Sequence, residues 1–165
     1  MQTQQVQQVM TMSVYSCHVN DHLGTAAKLM WEHDCGVVPV VNDDGRAIGM
    51  LTDRDICMAA FTQGRVLTEL GVQQAMSQRL VVCHPEDSID RAEELMSMHQ
   101  LRRLPVVNPE GQLVGMLSIN DLARAAAHAN SKGHAGPNGV RLQSTAQTFA
   151  AVCARHLTDA APKLA

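Results

Sequence analysis

Two stretches of sequence decide the fold: Gly36-Val-Val-Pro-Val-Val-Asn42 and Arg102-Arg-Leu-Pro-Val-Val-Asn108. They lie 66 positions apart, and the same shift aligns Gly49-Met-Leu51 with Gly115-Met-Leu117 without a gap. Similarity that keeps one register over this length indicates an internal repeat. The shift also aligns Met10 with Met76, Cys17 with Cys83, His18 with His84, and Asp55 with Asp121. The chain is therefore a duplication.

The two homologous units, residues 9–60 and 75–126, predict one order of elements, β-α-β-β-α. Each unit starts with a β-prone run, followed by an aspartate that can cap a helix and by apolar residues at helical spacing. A proline-containing strand, a turn and a second strand then predict a hairpin, and a Thr or Ser opens the last helix. These positions are 14–17 and 80–83 for the first run, Asp21 and Asp87 for the cap, 37–41 and 104–107 for the proline-containing strand, and Thr52 and Ser118 for the last helix. The predicted fold class is α/β (α+β), with two such repeats.

Two local features refine this prediction. Pro39 and Pro105 cannot donate a hydrogen bond to a neighbouring strand, so each indicates an edge strand or a bulge. Residues 6–10 and 72–76 resemble each other, and each stretch predicts a short helical turn before its repeat.

We divide the chain into four segments. Residues 1–66 form the first repeat with its helical turn, 67–127 the second repeat, 128–139 a linker rich in glycine, and 140–165 a helical extension. In the extension, one helix face is predicted to carry Ala146, Phe149, Ala150, Cys153 and Leu157. That helix is expected to dock either on the duplication or on a partner subunit.

The composition excludes several classes of protein. The chain has 165 residues, of which 45% are hydrophobic and 18% charged, and this is typical of a globular protein. Its net charge of −3 lacks the positive field of a nucleic-acid binder. No apolar run reaches the roughly 18 residues that span a bilayer, and the Gln-rich start does not resemble a signal peptide. Five cysteines without a CxxC pair indicate reduced thiols, so we expect a cytoplasmic protein without membrane contact.

Over residues 10–126 the chain resembles the tandem CBS (cystathionine β-synthase) domain pair, also called the Bateman module. The resemblance is carried by the two quoted stretches together with Gly49-Met-Leu-Thr-Asp-Arg-Asp-Ile56 and Gly115-Met-Leu-Ser-Ile-Asn-Asp-Leu122. Leu29-Met-Trp-Glu-His-Asp34 is similar to small stand-alone bacterial pairs of the hypoxic-response type. The family resemblance implies two repeats packed through their sheets as a pseudo-twofold pair. It also implies a homodimer that regulates a protein target which the chain does not identify.

The resemblance implies a regulatory ligand, usually AMP, ADP or ATP and less often S-adenosylmethionine or NAD. Thr52 with Asp55, and Ser118 with Asp121, match the family residues that hold ribose and phosphate. The chemistry agrees, because a hydroxyl beside helix N-terminal N–H groups suits phosphate, and a carboxylate accepts strong bonds from ribose hydroxyls. The alternative is that these residues only cap helices.

Other residues complete the predicted nucleotide site. In nucleotide-binding relatives, basic residues at the positions of Arg102 and Arg103 contact phosphates, whereas the first repeat has Gly36 and Val37 there. We therefore expect the pocket served by the two arginines to be the better phosphate site; the alternative is a solvated or salt-bridged strand end. The residues that could line an apolar slot for adenine are Val38, Pro39, Val40, Leu104, Pro105, Val106, Tyr15, Ser16, Val81 and Val82.

Two further interpretations of the sequence remain open. Cys17, His18, Cys83 and His84 form a set of zinc-ligand types if equivalent residues approach each other, although free cysteines are commonly buried as small hydrophobes. His22, His33 and His99 are candidate additional ligands.

The sequence carries none of the common nucleophile, P-loop or dinucleotide motifs, so we expect no enzymatic activity. The competing class is a stress-associated interaction protein that binds no nucleotide.

Overall fold

The computed structural model describes residues 4–131 and 142–154. In chain order, the elements are a 3-10 turn at Val6–Gln8, β1 Cys17–His18, α1 Leu23–Glu32, β2 Val37–Val41, β3 Ala47–Thr52, α2 Asp53–Gln63, a 3-10 turn at Leu67–Glu69, α3 Val72–Ala75, α4 Ile89–His99, β4 Arg103–Val107, β5 Leu113–Ser118, α5 Ile119–Ser131 and α6 Leu142–Cys153. The mixed α/β class, both short helical turns and the β-α-β-β-α order of the first repeat are confirmed. In the second repeat, residues 80–82 form no strand, and Cys83 makes only an isolated bridge.

The described residues form two compact units. The N-repeat unit contains residues 12–82 and 105–115, and the C-repeat unit contains residues 4–11, 83–104, 116–131 and 142–154. The segment before each repeat therefore belongs to the unit that contains the helices of the other repeat. The division of the sequence at residues 66 and 127 stays a prediction about homologous repeats, which need not coincide with spatial units.

The segment that precedes each repeat pairs by its backbone with the other repeat. Val6 donates its N–H to the carbonyl of Asp87 at 2.9 Å, and Val72 donates to the carbonyl of Asp21 at 2.8 Å. Both valine side chains are 0% exposed. A shift of 66 residues relates the two bonds, so the duplication has kept the same anchor in both units.

In the N-repeat unit, the sheet has the order β1-β2-β3. β1 runs parallel to β2 and pairs only with Val40 and Val41, whereas β2 and β3 form an antiparallel hairpin. The expected edge strand at Pro39 is wrong, because β2 is the middle strand; the proline is tolerated since β1 begins only beside Val40. The alternative of a bulge is confirmed by a register shift between Val40 and Val41. The core comprises Cys17, Leu23, Ala26, Met30, Val38, Val40, Leu51, Ile56, Ala59, Leu70 and Val72.

The predicted caps at Asp21 and Asp87 are wrong. The residue that follows each aspartate caps the helix instead: His22 accepts from the N–H of Thr25, and Ser88 accepts from that of Arg91. The aspartates close the preceding turns, because Asp21 accepts the N–H of His18 at 2.8 Å and Asp87 accepts the N–H of His84 at 2.7 Å. The two carboxylates are therefore already used one residue before the helices start.

The C-repeat unit contains helix α6, which packs on α4 and α5. The predicted apolar face is wrong: Thr145, Thr148 and Val152 are buried, whereas Ala146, Phe149 and Cys153 are exposed, Ala150 is exposed as well, and Leu157 lies outside the described residues. The buried face is partly polar because it meets Glu93 of α4, which is 5% exposed and accepts the hydroxyl of Thr145 at 3.1 Å.

Helix α5 extends to Ser131 and so includes residues 128–131 of the predicted linker; residues 132–139 lie outside the described residues.

The remaining core of the C-repeat unit is apolar and is formed by α4, α5 and the adjoining ends of β4 and β5. Its buried residues include Val6, Cys83, Ile89, Ala92, Met96, Leu104, Met116, Leu117, Ile119, Leu122 and Ala126. No helix in the described part of the chain has the length and apolar character needed to cross a membrane.

A substitution at Gly49 tests the packing of residues 67–77 on β3. An added Cβ would lie 2.8 Å from the carbonyl oxygen of Ser77 and 2.9 Å from the sulfur of Met76. Gly49→Ala should lower the free energy of unfolding by about 1–3 kcal/mol, the usual cost of overpacking. Chemical denaturation measures this loss. Gly71→Ala is the matched control, because a methyl group added there would meet no atom within 4 Å; equal losses in the two variants would contradict the packing.

Glu93 should make the stability of the C-repeat unit depend on pH. Burial raises the pKa of this carboxyl, and Asp90 adds to the rise, against hydrogen bonds from Ser144 and Thr145. Because the folded pKa lies above the unfolded one, the stabilisation is complete below the unfolded pKa and is lost as pH rises through the folded pKa.

Glu93→Gln should remove that part of the pH dependence and should leave the variant more stable than the wild type above this range. Thermal unfolding between about pH 4 and about pH 8 measures both effects. Glu94→Gln, on the exposed side of α4, is the control. An unchanged pH profile in Glu93→Gln would contradict the role given to burial.

Candidate nucleotide-binding motifs

In the N-repeat unit, the predicted ligand residues lie where β3 passes into α2. Thr52 is the N-cap of α2, and its hydroxyl accepts the N–H of Asp55 at 3.1 Å. Asp55 returns the contact, because its Oδ2 accepts the backbone N–H of Thr52 at 2.9 Å and the hydroxyl of Thr52 at 2.7 Å. Both side chains are partly buried. Within the described residues, Oδ1 of Asp55 accepts no hydrogen bond, so this oxygen can receive a ligand hydroxyl.

The C-repeat unit has the same arrangement where β5 passes into α5. Oδ2 of Asp121 accepts the backbone N–H of Ser118 at 2.8 Å and its hydroxyl at 2.5 Å. Here, however, Oδ1 of Asp121 is also occupied: Arg124 forms an ion pair with it, and the hydroxyl of Thr11 lies 3.4 Å away. The Asp121 side chain is 5% exposed. The two motifs are therefore alike in their helix caps and different in the surroundings of the second carboxylate oxygen.

Both pairs thus form helix caps in the structure, as the alternative to ligand binding predicts. Helix capping leaves acceptor positions unused, because an ionised carboxylate offers about four of them. Thr52 and Ser118 also stand beside helix N-terminal N–H groups, which favour negative charge. The arrangement can hold a polyol through the carboxylate and an anion through the helix start, and the binding role of the four residues stays a prediction.

Arg102 and Arg103 lie where β4 begins. Arg102 is exposed and Arg103 is partly buried. In the described part of the chain, neither guanidinium forms an ion pair, so the salt-bridged alternative is not observed. The carbonyl of Arg102 accepts the N–H of Ile119 at 3.0 Å, just as the carbonyl of Gly36 accepts that of Asp53 at 3.1 Å. This backbone bond places each strand start next to the corresponding helix start.

The residues proposed for an adenine slot separate into two groups. Val38, Val40, Leu104 and Val106 are 0% exposed and belong to the cores, and Pro39 and Pro105 are buried with them. Ser16, Val81 and Val82 are partly buried, and Tyr15 is exposed. The Tyr15 ring stacks on His33, with a centroid distance of 3.4 Å. Only the second group keeps side-chain surface that a ligand could contact without repacking a core.

A cavity of about 350 Å³ in the N-repeat unit was missed by the sequence analysis. Its lining consists of Ala27, Met30, Trp31, Asp34, Cys35, Gly36, Asp53 and Ile56, none of which belongs to the predicted nucleotide site. Trp31 is 88% exposed beside it. The shift of 66 residues maps Ala27 onto Glu93, which α6 covers in the C-repeat unit. A position-by-position comparison of the two repeats could have shown that Ala27, which lines the cavity, corresponds to Glu93 in the second repeat.

The predicted Cys/His set has no assembled metal site within either unit. In the described part of the chain, no three His, Cys, Asp or Glu residues are grouped to hold a metal. His18 instead contacts Asp43 at 3.0 Å, and His84 contacts Asp87 at 3.6 Å.

Both cysteines of this set are buried thiols. Burial, with a smaller contribution from Asp21, raises the pKa of Cys17 to about 11. Burial, with a smaller contribution from Asp87, raises the pKa of Cys83 to about 12. In the metal-free protein both thiols are therefore protonated near neutral pH.

The two repeats define the family of the chain. The CBS domain family model matches residues 6–61 and 72–128, which are the two repeats with the short turns that precede them. The chain belongs to the CBS domain family, and its two copies form a CBS pair.

Two relatives illustrate the similarity. The CBS domain-containing protein YhcV of Bacillus subtilis is 40% identical over 133 residues, which cover 81% of this chain and 93% of YhcV. Hypoxic response protein 1 of Mycobacterium tuberculosis is 34% identical over 116 residues, covering 70% of this chain and 80% of that protein.

Two solved structures share the fold. The crystal structure of Hypoxic Response Protein I with two coordinated zinc ions matches with a TM-score of 0.67 and 32% identity, over 73% of this chain and 98% of the other. The CBS domain pair of MJ0100, in complex with 5′-methylthioadenosine and S-adenosylmethionine, matches with a TM-score of 0.64 and 24% identity, over 74% and 95% of the two chains.

Thiol labelling tests the burial of the cysteines. At neutral pH, a thiol reagent should modify the exposed Cys57 and Cys153 rapidly, because these residues are accessible. Cys17 and Cys83 should react only on unfolding, since they are buried and protonated. Mass spectrometry of digested samples assigns the sites over time. Rapid labelling of Cys17 or Cys83 in the folded protein would contradict their burial.

Proposed function

We propose that this CBS pair is a regulatory module that binds an adenine nucleotide of the AMP, ADP or ATP type and acts as an energy or stress sensor. The observation that carries the proposal is the repeated hydroxyl–carboxylate pair at a strand-to-helix junction. Thr52 with Asp55 and Ser118 with Asp121 have the same bonding in the two units. Both pairs cap helices, and each repeat also places a carboxylate beside a helix N-terminus, an arrangement that suits a ligand with hydroxyl groups and an anion.

The chemistry of the motif suits a nucleoside with a phosphate. Oδ1 of Asp55 is a charged acceptor for a ribose hydroxyl, and charge-assisted hydrogen bonds are the stronger kind. The N–H groups at the start of α2 favour an anion nearby. The MJ0100 pair supports the ligand class, since its solved complex contains two adenosine derivatives.

The proposed output is a change of conformation that a protein target reads. A ligand shifts a conformational equilibrium only by its difference in affinity for the two states. The module has no proposed catalytic role. We also propose that it acts as a homodimer in the cytoplasm and that its target is another protein, as is usual for a regulatory module.

Removal of the carboxylate charge should weaken ligand binding. Asp55→Asn and Asp121→Asn keep an oxygen acceptor for the helix cap, whereas Asp55→Ala and Asp121→Ala remove it. Loss of a charge-assisted bond costs about 1.5–3 kcal/mol, or roughly 10- to 150-fold in Kd. Isothermal titration and thermal shift should use AMP, ADP, ATP, NAD, S-adenosylmethionine and 5′-methylthioadenosine.

The control for this experiment is Asp44→Ala, an exposed aspartate in the β2–β3 turn, which should leave binding unchanged. Equal affinity in the wild type and both Asn variants would refute the assignment of the motif. The absence of any ligand-dependent stabilisation in the wild type would favour the interaction protein that binds no nucleotide.

Zinc binding is a second candidate function, favoured by the two zinc ions in the solved Hypoxic Response Protein I. The candidate ligands are Cys17, His18, Cys83 and His84. If the protein binds zinc through these residues, metal analysis after dialysis finds zinc in the wild type and not in the Cys17→Ser/Cys83→Ser variant. A metal-free wild type after incubation with zinc would reject this function and leave nucleotide binding unaffected.

A further inference from the structure

The two motifs differ at one position beside the ligand carboxylate. The shift of 66 residues aligns Met58 of α2 with Arg124 of α5, and each residue lies three positions after its aspartate. Arg124 forms an ion pair with Oδ1 of Asp121, whereas Met58 carries no charge and leaves Oδ1 of Asp55 open. The difference therefore concerns the oxygen that a ligand hydroxyl needs.

We propose that Arg124 is an internal competitor for the ligand at Asp121, so that the Asp55 motif has the higher affinity and fills first. This inference rests on the proposed nucleotide function and adds to it an order of occupancy. For the ribose contact it gives the opposite order to the ranking expected from Arg102 and Arg103, which concerns the phosphate contact.

The ion pair is suited to reversible competition. The Asp121 side chain is 5% exposed, but the Arg124 side chain is 70% exposed and can swing into water when a ligand hydroxyl takes its place at the carboxylate. An ion pair with its guanidinium in water contributes little, so the competitor lowers affinity by up to about fivefold rather than closing the site. Salt screens such pairs, and added salt should weaken the competition.

Thr11 also occupies the second carboxylate oxygen of Asp121. Its hydroxyl lies 3.4 Å from Oδ1 of Asp121, and it belongs to the segment that pairs with Met116 of β5. Ser77 is the residue at the corresponding position of the N-repeat unit, and in the described residues its hydroxyl makes no contact with Asp55. Two groups therefore occupy Oδ1 of Asp121, and in the described part of the chain neither has an equivalent at Asp55.

The test is a reciprocal exchange of the two residues. Arg124→Met gives the C-repeat motif the residue of the N-repeat motif, and Met58→Arg does the opposite. The probe is 5′-methylthioadenosine, which is uncharged at neutral pH, so any salt dependence of its binding arises in the protein. Isothermal titration at low and high salt resolves the two sites, and Asp55→Asn and Asp121→Asn assign them by removing one phase each.

We expect the weaker binding phase of the wild type to tighten as salt is added. The Asp121→Asn variant should lack this phase. Arg124→Met should tighten this phase by up to about fivefold and abolish its salt dependence. Met58→Arg should weaken the tighter phase by a similar factor. Arg91→Met is the matched control, because it removes one arginine from an exposed i,i+3 ion pair on α4 and should change neither phase.

The possible results distinguish the competitor role of Arg124 from the nucleotide function of the protein. If both Asn variants still remove one phase each but Arg124→Met leaves the weaker phase unchanged or weakens it, the competitor role is wrong and the nucleotide function stands. If 5′-methylthioadenosine and every nucleotide tested fail to bind the wild type and both exchange variants, the nucleotide function and the competitor role are both wrong. Thermal unfolding of each variant confirms that the exchanged proteins are folded.

Discussion

The structure depends on a reciprocal exchange of short segments between the repeats. Each unit takes a fully buried valine from the segment that precedes the other repeat, Val6 in one case and Val72 in the other. The backbone bonds to Asp87 and Asp21 fix these valines next to the starts of α4 and α1. The core of the C-repeat unit therefore needs a residue from the beginning of the chain, and the core of the N-repeat unit needs a residue from beyond the end of its own repeat.

The periodicity of the sequence predicts the parts of the fold that local interactions decide. The helices, the hairpins and the cap at Thr52 follow from residues within a few positions of each other. The caps at Asp21 and Asp87 could not be placed, since the turn before each helix competes for the same carboxylate. The exchange of the segments that precede the repeats also left no local signal, because residues 6–10 and 72–76 are nearly alike and fit either repeat.

The face of α6 shows a second limit of sequence reasoning. Its own apolar residues indicated a face around Phe149, but the partner surface on α4 contains Glu93, which needs hydrogen-bond donors when buried. Thr145 satisfies that need, so the polar partner decided the orientation against the apolar pattern. Of the candidate site, the two hydroxyl–carboxylate pairs were predictable because repeats duplicate their motifs. The occupancy of Asp121 was not, since it depends on a rotamer of Arg124.

Differences between the repeats carry more information about function than the motifs they share. Relative to the first repeat, the second has a carboxyl at position 93 instead of Ala27 and a guanidinium at position 124 instead of Met58. Both added groups have partners within the C-repeat unit, Glu93 in α6 and Arg124 in Asp121. The N-repeat unit keeps an open carboxylate oxygen at Asp55 and an open cavity beside Trp31. After the duplication, two positions of the second repeat have therefore acquired groups with partners inside their own unit, whereas the carboxylate oxygen at Asp55 and the cavity beside Trp31 stay open in the N-repeat unit.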